Sequence, residues 1–195
     1  MTSLLGRLLL RFPERFPRED LFTEAVARLF ERNPKLCLGW LRDAGVISAR
    51  DESDGERVVV QTQKWLHGDR PARRADLYIE VHGSPGPEDT VGPEVVLVES
   101  KISAKEGRDQ LQNCAAYLEE MKGFGRKTLL YITRAYDPKE ADEILSTHGE
   151  TIRFEQLRWH DFYRFLDETV AMDLPCVVNQ VSGNKPRGGD ARARV

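Results

Sequence analysis

Cysteine and histidine are scarce in this chain, whose 195 residues include three cysteines and four histidines. Cys37, Cys114 and Cys176 lie far apart, and no CxxC pair or close Cys/His spacing occurs. The sequence therefore predicts neither a zinc site nor a disulfide framework. A reducing compartment, the cytoplasm, fits this cysteine content best.

Long apolar runs are also missing. The opening MTSLLGRLLLRF is interrupted by Arg7 and Arg11, so we expect an arm or short helix over residues 1–18 rather than a signal peptide or a membrane segment. The formal net charge is only −3. Any surface that binds phosphate groups must therefore be a local patch.

The chain does contain enough apolar residues, 40%, for one compact domain, which we place at residues 19–170. Residues 171–195 form a C-terminal extension. From about residue 182 the extension reads SGNKPRGGDARARV, which is rich in glycine and basic residues and has no apolar anchor. We expect that part to be disordered.

Apolar periodicity divides the domain into helices and strands. The apolar run over 94–102 indicates a central strand buried on both faces. The three tryptophans, Trp40, Trp65 and Trp159, are expected in the core. Helices are predicted over 18–32, 35–43, 105–122, 137–146 and 158–169, and strands over 57–66, 75–82, 94–102, 127–133 and 151–154.

Two charged side chains stand at the end of the buried third strand. Glu99 and Lys101 project from the same face, because side chains alternate along a strand. Buried charges are costly unless they are paired or bound to a metal. A salt bridge within the sheet is one explanation. Glu120 and Lys122 have the same spacing in a predicted helix, so the pattern alone does not define a catalytic site.

Asp76 begins the preceding strand. If the two strands form an antiparallel hairpin, Asp76 approaches Glu99 and Lys101. Two carboxylates repel each other, and a divalent cation relieves that repulsion; oxygen ligands favour Mg²⁺ or Mn²⁺. A metal with a bound water, and Lys101 to orient that water, would suit phosphodiester hydrolysis. A turn-capping role is the alternative for Asp76.

The set Asp76, then Glu99-Ser100-Lys101, on consecutive strands after a helix, resembles the PD-(D/E)xK nucleases. The resemblance covers about residues 19–169. It includes EDLFTEAVARLFERNP, similar to the opening helix of bacterial members, and RWHDFYRFL, similar to their closing helix. It implies an α/β restriction-endonuclease-like fold. That fold is a three-layer α/β/α sandwich with a central mixed sheet of about five strands.

The resemblance also implies roles for individual residues. Asp76 and Glu99 would bind the metal with the carbonyl of Ser100, Glu24 would support the metal shell or Lys101, and Gln110 would contact the site or the nucleic-acid backbone. The alternatives are a solvated helix-face residue for Glu24 and an exposed helix residue for Gln110.

Two positions depart from the family pattern. Ala75 stands where the name of the motif has proline, and Cys114 stands where members with a Q-x3-Y motif carry tyrosine. The second departure argues against the RecB-like subgroup and leaves the catalytic core unaffected.

Basic residues near these positions are candidates for phosphate contacts, although each is also compatible with an ordinary solvated charge. A free helix start at 105 would add N–H groups there. No sequence-reading motif is visible, so specificity would come from nucleic-acid structure, a homodimer or a partner protein. The candidates are Lys64, Arg70, Arg73, Arg74, Lys105 and Arg108.

The sequence thus predicts a metal-dependent nuclease acting on nucleic acid, on DNA more than on RNA. A non-catalytic binding or scaffold module with the same fold is the first alternative. An unrelated α/β protein is the second. That last alternative requires Asp76 and Glu99 to lie too far apart to share one ion.

Overall fold

The computed structural model describes residues 18–49, 55–66, 73–83, 92–102, 107, 109–145 and 151–173. Five helices and five strands occur in these parts of the chain. In chain order they are α1 (Arg18–Arg32), α2 (Pro34–Asp43), β1 (Arg57–Leu66), β2 (Arg73–His82), β3 (Glu94–Lys101), α3 (Gln110–Glu120), β4 (Arg126–Thr133), α4 (Ala141–Leu145), β5 (Ile152–Arg158) and α5 (Trp159–Asp173).

The strands form one sheet in the order β1-β2-β3-β4-β5. β1, β2 and β3 pair antiparallel, whereas β3, β4 and β5 pair parallel. Short connections join the antiparallel strands, and helices join the parallel ones, as the geometry of parallel pairing requires. The predicted mixed sheet of about five strands is confirmed.

Each face of the sheet carries its own apolar core. Alternate residues of β3 enter the two cores. Val96 and Val98 pack in the first core, and Val95 and Leu97 pack in the second. Residues of α1, α2 and α5 complete the first core, and residues of α3 and α4 complete the second. The predicted α/β/α sandwich is therefore confirmed, and it is consistent with a restriction-endonuclease-like arrangement. β3 is buried on both faces, as expected.

Two helices begin later than predicted. α3 begins at Gln110 rather than 105, after Asp109 adopts a left-handed φ of 55°. Its buried apolar stripe begins at Leu111, one residue after the helix starts. α4 begins at Ala141 rather than 137, because Gln156 binds both the N–H and the carbonyl of Lys139 and holds that segment against the sheet.

The last strand and the tryptophans also differ in part from expectation. β5 continues to Arg158, well beyond residue 154, because it pairs with β4 as far as Thr133. Trp40 and Trp159 are buried. The prediction for Trp65 is wrong, since 58% of its surface is exposed near the end of the edge strand β1.

The predicted N-terminal arm lies outside the described residues apart from Arg18, which begins α1. The C-terminal extension lies outside them beyond Asp173, where α5 ends. Among the described residues, no helix combines the length and apolar character needed to cross a bilayer.

Candidate active site

The end of the β2–β3 hairpin brings the acidic residues together. The last pair in the register is Leu77 with Val98, so one further step places Asp76 opposite Glu99. The Asp76 Oδ2 atom accepts a hydrogen bond from the backbone N–H of Ser100 at 2.8 Å. The acidic side chains therefore meet at the open end of the hairpin, and the large separation of Asp76 from Glu99 that the unrelated α/β alternative required is not found.

Glu99 and Lys101 form a buried ion pair. Lys101 Nζ donates to Glu99 Oε1 at 2.5 Å, and the exposed fractions of the two side chains are 12% and 1%. Among the described residues, the other oxygen, Glu99 Oε2, is buried and has no hydrogen-bond partner. A buried carboxylate oxygen without a partner is costly, so this atom is suited to an additional ligand.

The environment raises the pKa of Glu99 to about 7. Burial is the largest cause; the charge of Asp76 and a side-chain hydrogen bond with Asp76 add to it, while the charge and hydrogen bond of Lys101 lower the pKa. Like charges close together disfavour ionisation of both, and a cation between them reverses the effect. The two carboxyl groups are therefore near enough to repel each other.

Gln110, the first residue of α3, completes the contacts of Glu99. Its Nε2 atom donates to Glu99 Oε1 at 2.5 Å, and its Oε1 atom accepts from the N–H of Gly107 at 3.1 Å. Cys114 follows one turn later and is buried. Burial, followed by the charge of Glu99, raises the pKa of Cys114 to about 12. This face of α3 therefore covers the acidic residues.

Ser100 points to the opposite face of the sheet, as strand alternation requires. Its Oγ atom accepts a hydrogen bond from the indole Nε1–H of Trp159 at 3.2 Å. Trp159 also contacts Phe22 of α1, with ring centroids 4.4 Å apart. This bond was not foreseen from the sequence. The sequence did contain a signal for it. Ser100 is a polar residue between Glu99 and Lys101 that faces the other side of the strand, and Trp159 is the first residue of the closing helix.

Glu24 has other contacts. Its Oε2 atom accepts from the hydroxyl of Thr62 at 2.6 Å, and its Oε1 atom pairs with Arg28 at 3.0 Å. In the described ranges, no three or more aspartate, glutamate, histidine or cysteine side chains gather closely enough to hold a metal. The structure therefore does not join Glu24 to Asp76 and Glu99 in such a group, and its support of the metal shell stays a prediction.

Three of the six basic candidates lie in the described part of the chain, and three lie outside it. Lys64 Nζ stands 3.2 Å from the ring centroid of Tyr78, and Arg74 pairs with Asp20 at 3.4 Å. Arg73 lies near enough to Cys114 to lower the pKa of that thiol. The remaining candidates, Arg70, Lys105 and Arg108, lie outside the described residues. The helix start expected at residue 105 is displaced to Gln110.

The residues present fit a divalent cation in two respects. The site offers carboxylate oxygens from Asp76 and Glu99, which are hard ligands of the kind that Mg²⁺ and Mn²⁺ prefer. One of these oxygens, Glu99 Oε2, has no protein partner in the described part of the chain. Mg²⁺ commonly binds through one or two carboxylates and keeps several waters, so a pair of acidic side chains suffices.

Comparisons with known proteins complete the description. No family model matches the chain, and no curated protein matches its sequence. Among solved structures, the chain is similar to the MspJI restriction endonuclease in complex with a 27-mer oligonucleotide, at 12% sequence identity and a TM-score of 0.38. The match covers 83% of this chain and 34% of the other, so the chain spans about a third of that protein's length. The α/β class accordingly rests on the chain's own sheet and flanking helices.

Proposed function

We propose that this protein is a metal-dependent nuclease that hydrolyses phosphodiester bonds, in DNA more than in RNA. The observation that carries the proposal is the surroundings of Glu99. This carboxyl group is buried between Asp76 and Lys101, and its Oε2 atom has no hydrogen-bond partner among the described residues. A structural salt bridge between Glu99 and Lys101 does not require the second carboxylate of Asp76.

Asp76 and Glu99 would hold Mg²⁺ or Mn²⁺, with the carbonyl of Ser100 as a third ligand. The ion, when bound, supplies Lewis-acid activation of a phosphate oxygen and of water. The protein residues hold the geometry. Ser100 N–H fixes the Asp76 carboxylate, and Gln110 fixes the Glu99 carboxylate from α3.

Lys101 would act on the substrate. Its ammonium group is 2.5 Å from Glu99 Oε1 and largely buried, so its charge is poorly screened by solvent. Such a charge can orient a water molecule and stabilise the negative charge that develops on the phosphate. The Glu99 contact sets the position from which it does so.

The test is a cleavage assay on plasmid, linear duplex and single-stranded DNA, with Mg²⁺, with Mn²⁺ and with a chelator. We expect metal-dependent cutting by the wild-type protein. Lys101→Ala should lower the rate at least about 100-fold, the scale for loss of one electrostatic contact in a transition state. Circular dichroism should show that Lys101→Ala is folded.

Arg164→Gln is a matched control, because Arg164 is an exposed cation on α5 that pairs with Glu168 instead of a site residue. It should cut at the wild-type rate. Equal cutting by purified Lys101→Ala would reject the mechanism. A folded wild-type protein that binds DNA without cutting it would favour the non-catalytic module.

A further inference from the structure

A cavity of about 430 Å³ opens at the carboxyl ends of β4 and β5. Its size lies within the range of ligand-binding pockets, roughly 300–1,000 Å³. Ligands commonly bind at the carboxyl ends of parallel strands. The lining of the cavity includes Thr133, Tyr136, Asp137, Arg158 and Asp161.

The strand register places this cavity beside Lys101. Lys101 pairs with Thr133 of β4, and Thr133 pairs with Arg158 of β5. Paired residues in neighbouring parallel strands share a face of the sheet. Adjacent strands are about 4.8 Å apart. Thr133 and Arg158 of the lining therefore lie on the face of the sheet that carries Lys101, and Thr133 is one strand away from it.

The polar groups of the lining are held in place. The Asp137 carboxylate accepts from the hydroxyl of Tyr131 at 2.8 Å and pairs with Lys139 at 3.4 Å. The Asp161 carboxylate accepts from the backbone N–H of Arg158 at 3.2 Å. Both carboxylates have positively polarised partners, which reduces their repulsion of an approaching phosphate group. These contacts hold the two carboxylates of the lining in place.

Tyr136 is the exposed part of the lining. It is 81% exposed, and in the described ranges the only other large hydrophobic side chain recorded as exposed is Trp65, on the edge strand β1. An exposed aromatic ring offers a stacking surface that accepts any base. Arg158, whose side chain is 52% exposed, pairs with the Asp161 carboxylate at 3.6 Å and places a cation in the same lining.

We propose that this cavity takes an unpaired nucleobase of the strand whose phosphate lies at Lys101, stacked against Tyr136. The assignment rests on the proposed nuclease function, and it makes single-stranded or frayed DNA the preferred substrate. In an intact duplex every base is paired and stacked, and withdrawing one costs energy. A single strand presents its bases at no such cost.

The experiment is fluorescence anisotropy with a short labelled single strand and with the blunt duplex of the same sequence. Both are measured in EDTA without added divalent metal, so that the strands stay intact and Lys101 is retained. Tyr136→Ala should raise the Kd for the single strand roughly 5- to 100-fold, and the Kd for the duplex less than about twofold. Tyr136→Phe keeps the ring and should change neither Kd by more than about twofold.

The assignment is overturned if Tyr136→Ala leaves the single-strand Kd unchanged, weakens both Kd values equally, or if no saturable binding of the single strand occurs. These outcomes are distinct from failure of the proposed function. If the wild-type protein cuts no DNA but Tyr136→Ala selectively weakens single-strand binding, the cavity assignment stands and the nuclease proposal is rejected. If the protein cuts DNA but Tyr136→Ala does not selectively weaken single-strand binding, the nuclease proposal stands and the cavity assignment is rejected.

Discussion

The Asp76 carboxylate accepts a hydrogen bond from the backbone N–H of Ser100 at 2.8 Å, across the open end of the β2–β3 hairpin. This bond ties the start of one strand to the end of the next, and it leaves the charge of Asp76 beside Glu99. Asp76 therefore has a structural role in addition to the proposed metal ligation. Asp76→Asn is the informative substitution, because its amide oxygen can still accept the bond while the charge is lost.

The raised pKa of Glu99 predicts a pH-dependent stability in metal-free protein. Native Glu99 keeps its proton up to about pH 7, whereas an unperturbed glutamate loses it near 4.5. The native state thus binds more protons in this window, so the unfolding free energy falls as pH rises through it, by at most about 1.4 kcal/mol per pH unit. Urea denaturation in EDTA at a series of pH values measures the slope.

Glu99→Gln and Asp76→Asn are the controls for this pH effect. Glu99→Gln should flatten the slope between pH 4.5 and 7, the range over which the proton is retained. Asp76→Asn should move the decrease in unfolding free energy to lower pH, since it removes a charge that raises the Glu99 pKa. An identical slope in Glu99→Gln would assign the effect to another group.

The bond between Ser100 and Trp159 predicts a coupled loss of stability. Ser100→Ala leaves the buried indole N–H without its acceptor, which should cost about 1–3 kcal/mol. Trp159→Phe removes the donor and adds a packing defect. In the double variant the two losses should be less than additive. Urea denaturation of the four proteins tests this, and strict additivity would mean that the bond contributes nothing.

Gln110 is expected to position Glu99. Gln110→Ala removes a hydrogen bond to a charged group, so the cleavage rate should fall roughly 10-fold. The pH of half-maximal rate should rise, because the bond favours the ionised carboxylate. Gln112→Ala on the same helix is the matched control: its Oε1 atom has no hydrogen-bond partner among the described residues. A rate loss without a change in the pH profile would indicate a merely structural role.

Arg74 is predicted to contact a phosphate group. Its partner Asp20 is 3.4 Å away and both side chains are partly exposed, so the ion pair is weak and a phosphate can replace it. Arg74→Gln should lower the slope of log K against log salt by about 1 for duplex DNA. Arg164→Gln should leave the slope unchanged. An unaltered slope in Arg74→Gln would remove Arg74 from the interface.

Periodicity predicted much of the fold because the elements bury wide apolar faces. The bounds of β1, Arg57–Leu66, and of α1, Arg18–Arg32, coincide with the predicted ranges. The starts of α3 and α4 could not be predicted, because they depend on contacts between distant residues, such as that of Gln156 with Lys139. The exposure of Trp65 depends on the edge position of β1 in the sheet, which the residue itself does not encode.

The candidate site was likewise predicted from the sequence only in part. Strand alternation and hairpin pairing predicted that Asp76 meets Glu99, and the structure brings them together. The contacts of Glu24 with Thr62 and Arg28 were not foreseen, since they depend on how α1 crosses β1. The cavity beside Tyr136 was also missed, because it is formed by a loop and two strand ends that only the parallel register brings together.

Isothermal titration of Mn²⁺ into the metal-free protein tests most directly whether Asp76 and Glu99 share one divalent ion. We expect saturable binding of one ion per chain that is lost in both Asp76→Asn and Glu99→Gln and is retained in Arg164→Gln. No binding at millimolar Mn²⁺, or equal binding by Glu99→Gln, would contradict the account.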